Sequence, residues 1–125
     1  MAYLNSDRVA LLALIGLTNR LKEVMKHHTS EIQLVVSMVA KPGKEEELRE
    51  VLRRLLEPTR KEAGCGRYEM YASEQKGKFF ALEIWDSRQA LDEHMQTPHF
   101  KAAEPRFSEL VQGTIDINIL DEIAQ

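Results

Sequence analysis

The residues best suited to chemistry lie in one short stretch, Glu83–Phe100, with the sequence EIWDSRQALDEHMQTPHF. The single tryptophan, Trp85, follows a glutamate by two positions, and a Thr-Pro pair separates His94 from His99. Imidazole titrates near neutral pH, so either histidine could take a proton from a substrate. A carboxylate within an apolar strand is rarely buried without a partner, which makes Glu83 a second candidate base. A histidine or glutamate base close to a tryptophan predicts proton-transfer chemistry beside an aromatic ring.

Each histidine also has a purely structural interpretation. His94 shares a helical face with Leu91 and Ala90, so its ring should point inward. It could be a core histidine with one hydrogen bond or the base that lines a cavity. His99 follows Pro98 in a first helical turn, where a histidine can simply shape the turn. The two histidines are not spaced i, i+3 or i, i+4 on one helix, so the sequence predicts no metal site.

Glu83 and Trp85 should share one strand face, because strand side chains alternate. On a cavity wall, Trp85 would stack on a planar ring and Glu83 would accept a hydrogen bond or a proton. The alternatives are a core tryptophan and a Glu83 ion pair with Arg67 or Lys78.

Four further residues bear on a possible cavity. Tyr68 and Tyr71 should lie on opposite faces of their strand, so at most one of them lines the cavity. Ser37 is a small polar group within a strand and could face a ligand or be buried without one. Phe100 belongs to the apolar face of the last helix and is a further candidate contact for the substrate.

The elements that must position these residues are readable from the sequence patterns. A β-branched run predicts a first strand, and an i, i+3, i+4, i+7 pattern of leucines predicts a helix closed by Gly64. GRYEMYASE and KFFALEIWD predict a hairpin. Ser87 and Thr97 are expected to cap two consecutive helical pieces, the second ended by Gly113, and TIDINIL predicts a last strand. The resulting order is β-α-β-β-α-β, an α+β, ferredoxin-like antiparallel sheet with helices on one face.

The third strand is apolar on both of its faces. One face carries Phe80, Leu82 and Ile84, and the other carries Phe79, Ala81 and Trp85. Such a strand must be covered on both sides, and the helices can cover only one. A second copy of the sheet is the simplest cover for the other face.

Length and charge limit the classes of protein. The chain has 125 residues and a formal net charge of −3, which argues against a nucleic-acid partner. Residues 1–30 predict a helical extension, and residues 31–125 predict one domain. The apolar segment VALLALIGL is too short to span a bilayer. The single Cys65 excludes an internal disulfide and favours a cytoplasmic location.

The segments EAGCGRYEMY and FFALEIWDSRQALDEHMQTPHFKA resemble the antibiotic biosynthesis monooxygenase family, in particular its quinol monooxygenase-like branch. The resemblance runs from about Ile32 to Leu120. It implies a dimeric α+β barrel, in which two ferredoxin-like units pack sheet against sheet, with a cavity between sheet and helices in each subunit. Haem-degrading relatives carry an asparagine in the first strand and a histidine in the last helix, and both are missing from LVVSMVA and KAAEPRFSEL.

The resemblance implies a monooxygenase that oxidises a small quinol or hydroxylated aromatic with O2 and uses no cofactor. His94 or Glu83 would be the base, and the substrate contacts would be Trp85, His99, Tyr68, Ser37 and Phe100. The family resemblance favours Tyr68 over Tyr71. The alternative function is a non-redox dimer of the same fold that binds, isomerises or processes a small metabolite.

Overall fold

The computed structural model describes residues 31–124, so the predicted N-terminal helix lies outside the described residues. The described chain forms four strands and three helices in the predicted order. Their bounds are β1 (Ile32–Ala40), α1 (Glu45–Arg60), β2 (Cys65–Ala72), β3 (Lys78–Trp85), α2 (Arg88–His94), α3 (Pro98–Leu110) and β4 (Val111–Leu120). The α+β, ferredoxin-like arrangement is therefore confirmed, with its second helix divided in two.

The four strands form one antiparallel sheet in the order β2-β3-β1-β4. Strands β2 and β3 form the predicted hairpin, in which the Ser73 N–H donates to the Lys78 carbonyl at 2.9 Å. Gly77 occupies the turn with φ +79°, a conformation that side chains other than glycine rarely adopt. Strand β3 is central and therefore places its side chains in the middle of both sheet faces.

Helix α1 packs one leucine-rich face against the sheet, where Leu48, Leu52 and Leu55 are buried. It ends at Arg60, so the prediction that Gly64 closes it is wrong. The position needs a glycine for a different reason, because an added Cβ would collide with the Ala90 Cβ of α2. Gly64 thus allows α2 to approach the loop that follows α1.

The capping residues of α2 and α3 fix the chain between the two helices. The Ser87 side chain accepts the Ala90 N–H at 3.1 Å, and the Thr97 side chain accepts the Phe100 N–H at 3.2 Å, as predicted. Thr97 also donates its hydroxyl to the His94 carbonyl at 2.7 Å. The end of α2 and the start of α3, which carry the two histidines, are therefore held together.

The end of α3 differs from the prediction. The helix stops at Leu110 and β4 begins at Val111, so Gly113 does not end the helix. Gly113 instead has φ +70° inside β4, where the β1–β4 register shifts between Ser37 and Val39. An irregular pairing of this kind favours glycine because it tolerates a positive φ.

Side chains alternate between two faces of the sheet, which we call the covered face and the open face. The covered face packs against the helices, and on β3 it carries four buried residues, Phe79, Ala81, Glu83 and Trp85. The open face carries the partly exposed Phe80, Leu82 and Ile84 of the same strand. The alternation of β3 is thus as predicted.

Within residues 31–124, no helix is long and apolar enough to cross a membrane.

Candidate active site

A cavity of about 280 Å³ lies between the covered face and the helices. Most of its wall is apolar, with contributions from Val36, Met38, Leu52, Leu55, Phe100 and Ile117. Its polar lining consists of Tyr68, Glu83, His94, Glu104 and Ser108. Apolar walls with a few converging polar groups are typical of sites that bind small organic ligands.

Glu83 is a buried carboxyl group at the centre of the sheet, paired in register with Leu34 of β1 and Tyr68 of β2. The indole Nε1–H of Trp85 donates to Glu83 Oε1 at 2.9 Å. Burial raises the pKa of Glu83 to about 7, the Trp85 hydrogen bond opposes that rise, and the charge of Glu62 adds to it. Glu83 can therefore give or take a proton near neutral pH.

The ion pair considered for Glu83 is not formed. Arg67 pairs with Glu69 at 2.7 Å, and the Lys78 ammonium lies over the Phe80 ring, 5.4 Å from its centroid. Both cations belong to the open side of the hairpin, whereas Glu83 faces the helices. Hence burial and the indole donor determine the chemistry of Glu83.

Trp85 does not line the cavity, although it was predicted to form its aromatic wall. The side chain is fully buried behind that wall, with its ring centroid 4.6 Å from that of His94 and 6.3 Å from that of Tyr68. Its contribution is to support the two rings in front of it and to hold Glu83 through the indole N–H. The aromatic rings that line the cavity are those of Tyr68, Phe100 and Phe107.

His94 lines the cavity, and its side chain is only 3% exposed. Its ring lies 5.1 Å from Phe100 and 5.6 Å from Tyr68, centroid to centroid. Burial lowers the pKa of His94 below the ordinary value for histidine, while the hydrogen bond and charge of Glu62 work in the opposite direction and His99 lowers the pKa further. The ring is therefore neutral at pH 7 and able to accept a proton.

The side chain that holds His94 is Glu62, which no sequence pattern predicted. Glu62 lies in the turn after α1, and its Oε2 is 2.8 Å from His94 Nδ1 and 2.7 Å from His99 Nε2. A carboxylate only accepts hydrogen bonds, so both imidazoles donate to this one oxygen. The segment KEAGCG offered no signal for this role beyond a carboxylate beside a turn glycine, since 32 and 37 residues separate Glu62 from its partners.

His99 does not line the cavity either, despite its prediction as a substrate contact. It binds the far side of Glu62, with its ring centroid 6.1 Å from that of His94. Together the three side chains have ligand types that metals accept, and the atoms concerned lie within 4.8 Å of one another. Two atoms that share a tetrahedral zinc ion lie about 3.3 Å apart, so the two short distances to Glu62 fit hydrogen bonds better.

Tyr68 and Ser37 lie on different faces of the sheet. Tyr68 lines the cavity, and burial first, then the charge of Glu83, raises its pKa well above the ordinary value for tyrosine. Its hydroxyl therefore keeps its proton. Ser37 is paired in register with Phe80 on the open face and cannot contact a ligand in this cavity. Tyr71 is 48% exposed, so only one of the two tyrosines lines the cavity, as predicted.

The fold and the site define an α+β domain with a small apolar cavity that holds a neutral histidine and a carboxyl group. The sequence pattern of the antibiotic biosynthesis monooxygenase family matches residues 32–106. The chain belongs to this family.

Relatives and solved structures agree with that assignment. The chain is 32% identical over 92 residues to the Mycobacterium tuberculosis protein Rv0793, covering 74% of this chain and 91% of the relative. The solved structure of Rv0793 matches with a TM-score of 0.72 over 77% of this chain and 98% of that one. The Pseudomonas aeruginosa protein PA3566 matches with a TM-score of 0.72 and 31% identity, over 78% and 99% of the two chains.

Proposed function

We propose that the protein is a monooxygenase that oxidises a small quinol or hydroxylated aromatic with O2 and without a cofactor. The observation that carries the proposal is a largely apolar cavity of about 280 Å³ with His94 on its wall, where burial lowers the pKa of the imidazole. This volume is close to the lower end of the range for ligand pockets, about 300–1,000 Å³. A small planar ring suits it, with Phe100 as the aromatic contact.

In the proposed reaction, His94 Nε2 takes the phenolic proton, and the anion passes one electron to O2. The substrate radical and superoxide then combine through a new bond between a ring carbon and oxygen. His94 returns its proton to the peroxide. Loss of the ring C–H proton and cleavage of the O–O bond release one oxygen atom as water and leave the other as a quinone carbonyl. The protein supplies proton transfer, orientation and a dry cavity.

Tyr68 and Glu83 complete the proposed site. The protonated Tyr68 hydroxyl is suited to donate a hydrogen bond to the substrate anion. Glu83 has Oε1 on the Trp85 indole, which leaves Oε2 for a substrate hydroxyl or carbonyl. Glu83 is also the competing candidate for the base, because its pKa of about 7 provides carboxylate at neutral pH.

We further propose that the protein acts as a homodimer in the cytoplasm. Phe80, Leu82 and Ile84 form an apolar strip on the open face that no described element covers. A second copy of the same face would remove this strip from water. The single Cys65 supports a reducing compartment.

One observation favours a second candidate, an isomerase. Glu83 and His94 form an acid–base pair on the walls of one cavity, and such a pair can move a proton between two carbons of a small oxygenated metabolite without O2. The cavity would then serve the same binding role with no redox step.

Oxygen uptake separates the two candidates. Purified protein is incubated with a panel of mono- and dihydroxylated aromatics, and O2 consumption and quinone formation are recorded, with ¹⁸O2 used to trace the inserted atom. We expect one ¹⁸O per quinone and a rate that is lost in His94→Ala but kept in Gln89→Ala, a change at an exposed position of α2. If no hydroxylated aromatic gives uptake above the buffer rate, the monooxygenase proposal fails.

A further inference from the structure

We propose that Glu62 is the positioning residue of the site: its carboxylate fixes which nitrogen of His94 carries the proton and holds the other toward the cavity. The consequence for turnover rests on the proposed function, but the structural statement does not. Glu62 does not line the cavity, so it would act through His94.

The tautomer follows from the hydrogen bond. With Nδ1–H donated to Glu62 Oε2, the neutral ring of His94 has its free electron pair on Nε2. Within residues 31–124, Nε2 makes no hydrogen bond, so it remains available to a ligand in the cavity. Without the carboxylate, a neutral imidazole can carry its proton on either nitrogen, and only one of the two forms is a base at Nε2.

Glu62 is held by hydrogen bonds at both its backbone and its side chain. Its backbone N–H donates to the Thr59 carbonyl and its carbonyl accepts the Cys65 N–H, both at 3.0 Å. On the side-chain end, His99 donates to the same oxygen that receives His94. Glu62 is therefore held at three points by α1, β2 and α3, which leaves its carboxylate little freedom to turn away from His94.

The charge of Glu62 acts on His94 as well. The titratable groups that surround the His94 ring are Glu62 in the turn after α1, His99 on α3, Tyr68 on β2 and Glu83 across the cavity. Among residues 31–124, Glu62 is the one residue that forms a hydrogen bond to the His94 ring. Its charge favours the imidazolium that forms when Nε2 takes a proton and opposes the cost of burial.

The test compares Glu62→Gln with Glu57→Gln. Glu57 is an exposed glutamate of α1 that forms an ion pair with Lys61, so it serves as the matched control. NMR of the ¹⁵N-labelled imidazoles reports the tautomer and titration of His94 without any substrate. In the unaltered protein and in Glu57→Gln, we expect a single tautomer with the proton on Nδ1. In Glu62→Gln, we expect the Nε2-protonated form to appear and the His94 pKa to fall.

Turnover gives the second measurement. For a hydroxylated aromatic that the unaltered protein oxidises, Glu62→Gln should lower kcat by between about 10- and 10⁴-fold, while KM changes little. Glu62→Asp keeps the charge and should recover part of the loss. A substitution that only loosened the structure would not be rescued in this way.

Three results would overturn the proposal. The first is an Nε2-protonated His94 in the unaltered protein, and the second is an unchanged His94 titration in Glu62→Gln. The third is tight 1:1 binding of Zn²⁺ that Glu62→Gln abolishes, because the three side chains would then serve a metal. If the NMR results are as expected but no aromatic is oxidised, the positioning role stands and the proposed function fails.

Discussion

The covered and open faces of the sheet carry similar apolar side chains, but they shift the pKa of a carboxyl group in opposite directions. Glu83 on the covered face is 8% exposed, and it accepts a hydrogen bond from the Trp85 indole. Glu69 pairs in register with Leu82 of the open face and accepts hydrogen bonds from both Arg67 and Tyr71. Burial raises the pKa of Glu83, whereas the bonds from Arg67 and Tyr71 lower the pKa of Glu69.

The difference shows where proton chemistry can be placed in a sheet of this kind. An exposed carboxylate with a guanidinium partner stays ionised and transfers no proton near neutral pH. A buried carboxylate with a weak donor titrates near pH 7, the range in which an acid or base is useful. The covered face is thus the side of the sheet on which a carboxyl group can exchange a proton near neutral pH.

The largest expected effect comes from placing a charge on each face of the sheet in turn, at two neighbouring residues of β3. Ala81→Asp places an unpaired charge in the buried wall of the cavity and should unfold the protein, because the free energy of unfolding falls by at least about 3 kcal/mol. Leu82→Asp should dissociate the proposed dimer or, if the subunit cannot fold alone, unfold it as well. Circular dichroism and sedimentation velocity read out fold and mass.

Ala102→Asp, at an exposed position of α3, is the matched control and should change neither the circular dichroism spectrum nor the sedimenting mass. If the unaltered protein sediments as a monomer at micromolar concentration, the open face is not the interface that we propose.

The next effect distinguishes the two candidate bases on the covered face. If His94 is the base, His94→Ala should lower turnover by about 10²- to 10⁴-fold, and kcat/KM should fall as pH drops through a midpoint below the ordinary histidine value. If Glu83 is the base, the midpoint should lie near 7. Rates from pH 5 to 8.5 for the unaltered protein, His94→Ala and Glu83→Gln decide between them.

The assignment to His94 is wrong if Glu83→Gln stops oxygen consumption while His94→Ala barely changes it. Glu83→Gln keeps the size of the side chain and an acceptor for the Trp85 indole, so its effect reports the loss of the ionisable group.

A smaller effect compares the two carboxylates through stability. The pKa of Glu83 is higher in the folded than in the unfolded protein. The protonated side chain therefore contributes stability that is fully present below pH 4.5 and is lost as pH rises through about 7. Glu83→Gln removes the cost of a buried charge and should raise the free energy of unfolding at pH 8 by about 2–4 kcal/mol relative to its effect at pH 4. Urea denaturation at the two pH values measures the difference.

Glu69→Gln is the matched control and should change stability in the opposite direction. The pKa of Glu69 is lowered in the folded protein, so its ionised form stabilises the fold at pH values above the unfolded pKa. The glutamine of the variant cannot ionise, so that stabilisation is missing at pH 8. If both variants gain stability at pH 8, burial is not what distinguishes the two faces.

The smallest expected effect concerns His99. It lies behind Glu62 and does not line the cavity, so His99→Ala should lower turnover by less than about tenfold and leave KM unchanged. Steady-state kinetics beside His94→Ala test this. A loss as large as that of His94→Ala would mean that His99 takes part in the chemistry directly.

The sequence by itself determined the elements and much of the placement of the site. The alternation of β3 separated Phe80, Leu82 and Ile84 from the covered face because strand side chains point to opposite sides in turn. Ser87 and Thr97 set the two helix starts through local side-chain bonds to nearby backbone N–H groups. The helical periodicity that places His94 on one face with Leu91 and Ala90 also predicted that its ring points inward.

Only the tertiary structure decided which side chains meet. Gly64 and Gly113 were assigned to helix ends because glycine is common there, but the close approach of α2 and the irregular β4 pairing explain them. Glu62 meets His94 and His99 across a long stretch of chain, and no local pattern encodes that distance. Strand alternation gave Trp85 its face, but packing of the helices determined that its indole would hold Glu83 rather than line the cavity.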